Sequence, residues 1–111
     1  MKKNAHRLSK IKNSDVKKTI QLYPTDIQEQ ILDIREMIFT LATKHIEIGT
    51  IEETLKWGEP SYITKHGSTI RMAWRKSSPN QLGIYFNCKS KLVDTFREIY
   101  SDTLLMLIIA P

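Results

Sequence analysis

The chain has 111 residues, 41% of them apolar and 26% charged, with a net charge of +5. That is enough for one small domain of ordinary globular composition. A single cysteine, Cys88, excludes an internal disulfide, and the longest apolar run, "LLMLIIA" from Leu104 to Ala110, is too short to span a bilayer. No apolar stretch follows the N-terminal lysines to form a signal peptide, so the expectation is a cytoplasmic protein with no membrane partner.

The charge is unevenly spread. Residues 1–18 carry seven bases against one acid, Asp15, whereas the remainder carries ten bases and eleven acids. The basicity therefore reads as a property of a tail. Residues 1–13 are expected to form a flexible basic arm, and residues 14–111 a single domain. A body without positive excess predicts no specific nucleic-acid partner. The arm alone would touch polyanions non-specifically.

In chain order, Ser14 is placed to cap a short helix over Asp15 to Leu22, which Tyr23-Pro24 breaks. Thr25, with Gln28 in the capping-box position, opens a long helix from Asp26 to Lys44. Ile27, Ile31, Ile34, Ile38 and Leu41 fall on one stripe of it. After Gly49 the apolar period becomes two. The first strand puts Ile51, Glu53, Leu55 and Trp57 on the core face, and Gly58 and Pro60 end it. Read this way, Trp57 is a packing residue whose truncation would cost about 3–5 kcal/mol. Ser61 to Ile63 resume an extended path, and "TKHGST" reads as a turn around Gly67. The next strand points Ile70, Met72 and Trp74 inward. After the loop "KSSPNQ", a further strand points Leu82, Ile84, Phe86 and Cys88 inward. Ser90 is placed to cap a helix over Lys91 to Tyr100. The tail "TLLMLIIAP" is either a terminal strand or an exposed apolar end. Strands with one apolar face and short loops make an antiparallel meander, and helices with one apolar stripe cover it. The expected fold is a two-layer α+β domain.

Three segments, "YPTDIQEQILDIREMIF", "EETLKWGEPSYI" and "LGIYFNCKSKLVDTFREIYSD", resemble the YdhG-like family of small bacterial domains. The resemblance covers roughly Tyr23 to Asp102, and Glu52 to Tyr62 is its most specific part. It implies a sheet flanked by helices. Most members have no known function, and some are described as frataxin-like intracellular iron chaperones. The chain departs from the family after "REIYSD", where members continue with a turn, a strand and a further helix. That departure predicts exposed apolar surface at the C-terminal segment, which a second copy could cover as a homodimer.

Two groups of residues are candidate sites. Asp26, Glu29, Asp33 and Glu36 recur at helical spacing on a stripe rotated away from the isoleucines. Oxygen ligands of this kind suit Fe²⁺ weakly, in line with the iron handling that the resemblance implies. The plain alternative is a solvated helix face. The second group lies on the polar face of the sheet. Lys56, Arg71, Arg75 and Tyr85 project opposite the core, and two arginines two residues apart can grip an anion by forked hydrogen bonds. Glu59 and Tyr62 stand at the edge where such a site would begin. The plain alternative is a wet sheet face with ordinary charged pairs. A thiol site at Cys88 with His66 or His45 lacks a carboxylate to orient it. No phosphate loop, zinc spacing or dinucleotide fingerprint is present. The expected function is non-enzymatic: weak iron binding or, alternatively, recognition of a small anionic molecule on the sheet face.

Overall fold

The isoleucine stripe builds the centre of the molecule. In the computed structural model, which describes residues 2–46, 48–65, 68–87 and 108–109, three helices precede a sheet. They are α1 (Lys2–Leu8), α2 (Ser14–Gln21) and α3 (Thr25–Lys44). All five stripe residues of α3, Ile27 through Leu41, are buried. Val16 and Ile20, one turn apart on α2, are buried beside them.

The strands are β1 (Ile51–Lys56), β2 (Glu59–Thr64), β3 (Thr69–Trp74), β4 (Leu82–Asn87) and β5 (Ile108–Ile109), and they pair in that order. β1 to β4 form the expected antiparallel meander. β5 joins β4 in parallel, so the tail supplies a strand at residues 108–109. Inward Ile70 and Met72 of β3 and Leu82, Ile84 and Phe86 of β4 are all buried. α2 packs on β1 and β2, and α3 on β4. The result is the two-layer α+β fold, with the helices burying one face of the sheet. The helix expected over Lys91 to Tyr100, and with it Cys88, His66 and the rest of the apolar tail, lies outside the described residues.

Four local expectations need correction. The arm at residues 1–13 is folded: α1 occupies its first part, and Leu8 and Ile11 are both 4% exposed in the core. Two apolar residues three apart anchor a segment whose charge alone reads as a tail. The cap of α2 is Asn13, whose Oδ1 accepts from the backbone N–H groups of Asp15 and Val16, each at 3.0 Å. Gln28 does not close a capping box. It is buried, and its Nε2 donates to the carbonyls of Gln21 and Tyr23 at 3.2 and 3.0 Å, tying the α2–α3 connection to α3. Asn4 of α1 donates to Gln28 Oε1 at 3.2 Å, so one side chain joins all three helices.

The fourth correction concerns Trp57. β1 stops at Lys56, which pairs with Glu59 across a two-residue loop. Trp57 and Gly58 both have positive φ, 57° and 75°. This is the turn geometry that matches strand twist, normally served by Asn-Gly. Alternation does not carry through a turn, so Trp57 is 89% exposed instead of packed.

Candidate functional site

On the outer face of the sheet, register places Ser61, Arg71 and Tyr85 side by side across three strands. Glu59 begins β2 on the same face by alternation. Arg71 Nε lies 2.8 Å from Glu59 Oε1, and Arg75 Nη2 lies 3.8 Å from Glu59 Oε2. Arg75 Nη1 donates to Tyr85 Oη at 2.8 Å. Both guanidinium carbons sit over the Tyr85 ring, 5.0 and 5.8 Å from its centroid. The hydrogen bond to Tyr85, with the charge of Glu59 behind it, raises the Arg75 pKa above its ordinary value. Gly83 leaves room for the Tyr85 side chain, because a β-carbon there would stand 3.2 Å from its Cε2 and its hydroxyl oxygen.

The structure thus gathers Glu59, Arg71, Arg75 and Tyr85, with exposed Lys56 opposite Glu59 across the hairpin. Tyr62 is not part of this group. It has inward parity, is fully buried, and its hydroxyl donates to Glu53 on the inner face. Proximity to Glu59 in sequence misplaces it, because one residue of register moves a side chain to the other face.

The acidic stripe of α3 is arranged otherwise than a metal centre. Arg7 of α1 donates from Nη2 to Asp33 Oδ1 at 2.7 Å and from Nε to Glu36 Oε2 at 2.8 Å. Those two carboxylates outweigh the opposing effect of burial and raise the Arg7 pKa. They already face a cation, while Glu29 and Asp26 stand about one and two turns away from Asp33 toward the helix N-terminus. Among the described residues, no three acidic, histidine or cysteine side chains are grouped to hold a metal ion.

A second cluster, absent from the sequence expectation, lies on the inner face. Arg35 of α3 donates to both oxygens of Glu53 on β1, with Nη2 to Oε1 at 2.9 Å. Tyr62 donates its hydroxyl to Glu53 Oε2 at 2.8 Å. Arg35 stacks 5.0 Å from the centroid of Phe39, and Phe39 meets Tyr62 edge to face at 6.0 Å. Burial lowers the Arg35 pKa, but the hydrogen bonds and charge of Glu53 outweigh it and the net shift is upward. Burial, reinforced by Glu53, pushes the Tyr62 phenol well above its ordinary range. Two sequence signals point to this cluster. Glu53 is a carboxylate on the inward parity of a strand, which demands a partner. Arg35 flanks the apolar stripe, four residues after Ile31 and three before Ile38.

Beside this cluster, a cleft of about 540 Å³ opens between α3, β1 and the loop joining α1 to α2. Among the described residues, no helix is long and apolar enough to cross a membrane. No protein-family model matches the chain, and neither does any curated protein or solved structure.

Proposed function

We propose that the protein is a non-enzymatic cytoplasmic binding domain of the YdhG-like kind, taking a small anion on the outer face of its sheet. The observation that carries this reading is the convergence of Arg71 and Arg75 on Glu59 and on one tyrosine ring. Arg75 is 58% exposed yet held in place by its bond to Tyr85. A guanidinium oriented in advance loses little freedom when an anion arrives. Lys56 adds a third cation against the single carboxylate. In this reading Glu59 occupies the place of the ligand's anionic group until the ligand displaces it.

This reading is preferred to Fe²⁺ binding on α3 because Asp33 and Glu36 already pair with Arg7. Titration calorimetry with inorganic phosphate and with small di- and tricarboxylates tests it. Binding that Arg71→Ala and Arg75→Ala each weaken severalfold is the expected result. Binding of equal strength in the wild type and both variants would remove the site from this face.

A further inference from the structure

We infer that the cleft between α3 and the edge strand β1 is a second binding site, and that it takes a small organic anion with an apolar, planar body. The site shares no residue with the outer face.

The charge of the cleft is the first argument. Lys10 and Lys12, both exposed, stand on the α1–α2 loop at its wall, and Arg35 lines it from α3. Its one carboxylate, Glu53, is already committed. Glu53 accepts two hydrogen bonds from Arg35 and one from Tyr62, so it is satisfied without the lysines. The lysines therefore contribute their charge to the cleft largely uncancelled. Folding the N-terminal segment onto the body is what brings this charge to a concave surface, where low-dielectric walls focus it.

The walls supply the second argument. Phe39 and Ile51 line the same cleft and are only partly buried. Phe39 is held by Arg35, 5.0 Å from its centroid, and by an edge-to-face contact with Tyr62, so the part of its ring that lines the cleft is rigid. A volume of about 540 Å³ lies within the range that holds small molecules. An anionic head near Lys10 and Lys12 and a flat apolar body against Phe39 and Ile51 would match both the charge and the apolar part of the walls.

The third argument decides against a peptide strand. β1 is an edge strand, the usual place for strand addition. Here Asn13 Nδ2 donates to the Glu53 carbonyl at 3.3 Å, so the helix-joining loop already covers that part of the edge. A running backbone would have to displace this bond, whereas a compact ligand would not.

Titration of the whole chain with 2-naphthoate, its neutral counterpart 2-naphthalenemethanol, and acetate tests the inference. Naphthoate is expected to bind, with the alcohol at least about tenfold weaker for the loss of one charge-assisted contact and acetate at least about tenfold weaker for the loss of its apolar body. Lys10→Gln with Lys12→Gln should weaken naphthoate about tenfold or more. Lys44→Gln with Lys65→Gln removes the same net charge outside the cleft and should leave naphthoate binding within twofold. Phe39→Leu should weaken naphthoate more than acetate. No naphthoate binding, equal loss in the two lysine pairs, or equal affinity for naphthoate and the alcohol would each overturn the site. Phosphate binding that depends on Arg75 stands or falls separately, because none of these substitutions touches the outer face.

Discussion

Two clusters of arginine, carboxylate and tyrosine sit on opposite faces of one sheet. Inside, Arg35 and Glu53 are 12% and 9% exposed and share Tyr62. Outside, Glu59 is 19% exposed, Arg71 30% and Arg75 58%, and both arginines share Tyr85. The ingredients are the same, but the energetics differ. Tyr62 is fully buried and Arg35 and Glu53 are mostly covered, so water only partly replaces a partner lost from the inner cluster. The outer cluster is more exposed and therefore more screened, so it contributes less to stability, and under the proposed function it trades its carboxylate for a ligand. The difference makes the Arg35–Glu53–Tyr62 contacts chiefly a support of the fold, and the outer cluster the one whose carboxylate the proposed function treats as exchangeable.

The sharpest way to break this contrast is to remove the inner carboxylate. Glu53→Ala leaves the partly buried Arg35 guanidinium without a counter-charge and the buried Tyr62 hydroxyl without an acceptor. Urea unfolding should show a loss of about 2–4 kcal/mol. A loss under about 1 kcal/mol would put the two clusters in the same class.

Tyr62 provides the next test. Its pKa lies well above that of an unfolded tyrosine, near 10. The neutral, protonated form is therefore favoured by folding. This contribution is complete below about pH 10 and is lost as pH rises toward the native pKa. Stability followed by chemical unfolding from pH 8 to 11 should fall at the alkaline end. Tyr62→Phe should be less stable by about 2 kcal/mol at pH 8, with a shallower alkaline slope.

The contrast also explains what could be read in the sequence. The meander, the isoleucine stripe and the inward residues of β3 and β4 were legible because period and burial coincide there. The outer cluster was legible for the same reason: Arg71, Arg75 and Tyr85 share a parity, and neighbouring strands bring them together. The inner cluster depends on a contact between α3 and β1 across 18 residues of chain, which no local period encodes. The fold of residues 1–13 was hidden by composition, since seven bases among the first 18 residues mask the two apolar anchors Leu8 and Ile11. Asn13 and Gln28 are polar residues whose roles depend on the backbone groups that folding brings to them.

The hairpin that joins β1, which carries Glu53, to β2, which carries Glu59, offers a smaller test. Trp57 holds φ at 57° in a position where asparagine is favoured, and its side chain is almost fully exposed. Trp57→Asn should raise stability by about 1 kcal/mol in thermal unfolding, because the left-handed conformation costs asparagine less. A loss of about 3–5 kcal/mol is what a core tryptophan would show. That result would return Trp57 to the inner face and with it the alternation read from the sequence.

The smallest effect on stability belongs to Glu59, and it sharpens the comparison most on the functional side. Glu59→Gln removes the carboxylate facing Arg71 and Arg75 but keeps its shape. Unfolding should change by no more than about 1 kcal/mol, and the difference should shrink further in salt. If Glu59 holds the place of a ligand, the same substitution leaves both guanidiniums uncompensated, and phosphate should bind more tightly to the variant than to the wild type. A variant that is barely destabilised yet binds phosphate no better would mean that the outer cluster is a surface ion pair. Tighter binding with almost unchanged stability would separate the outer cluster from Arg35–Glu53, where removing the carboxylate costs the fold.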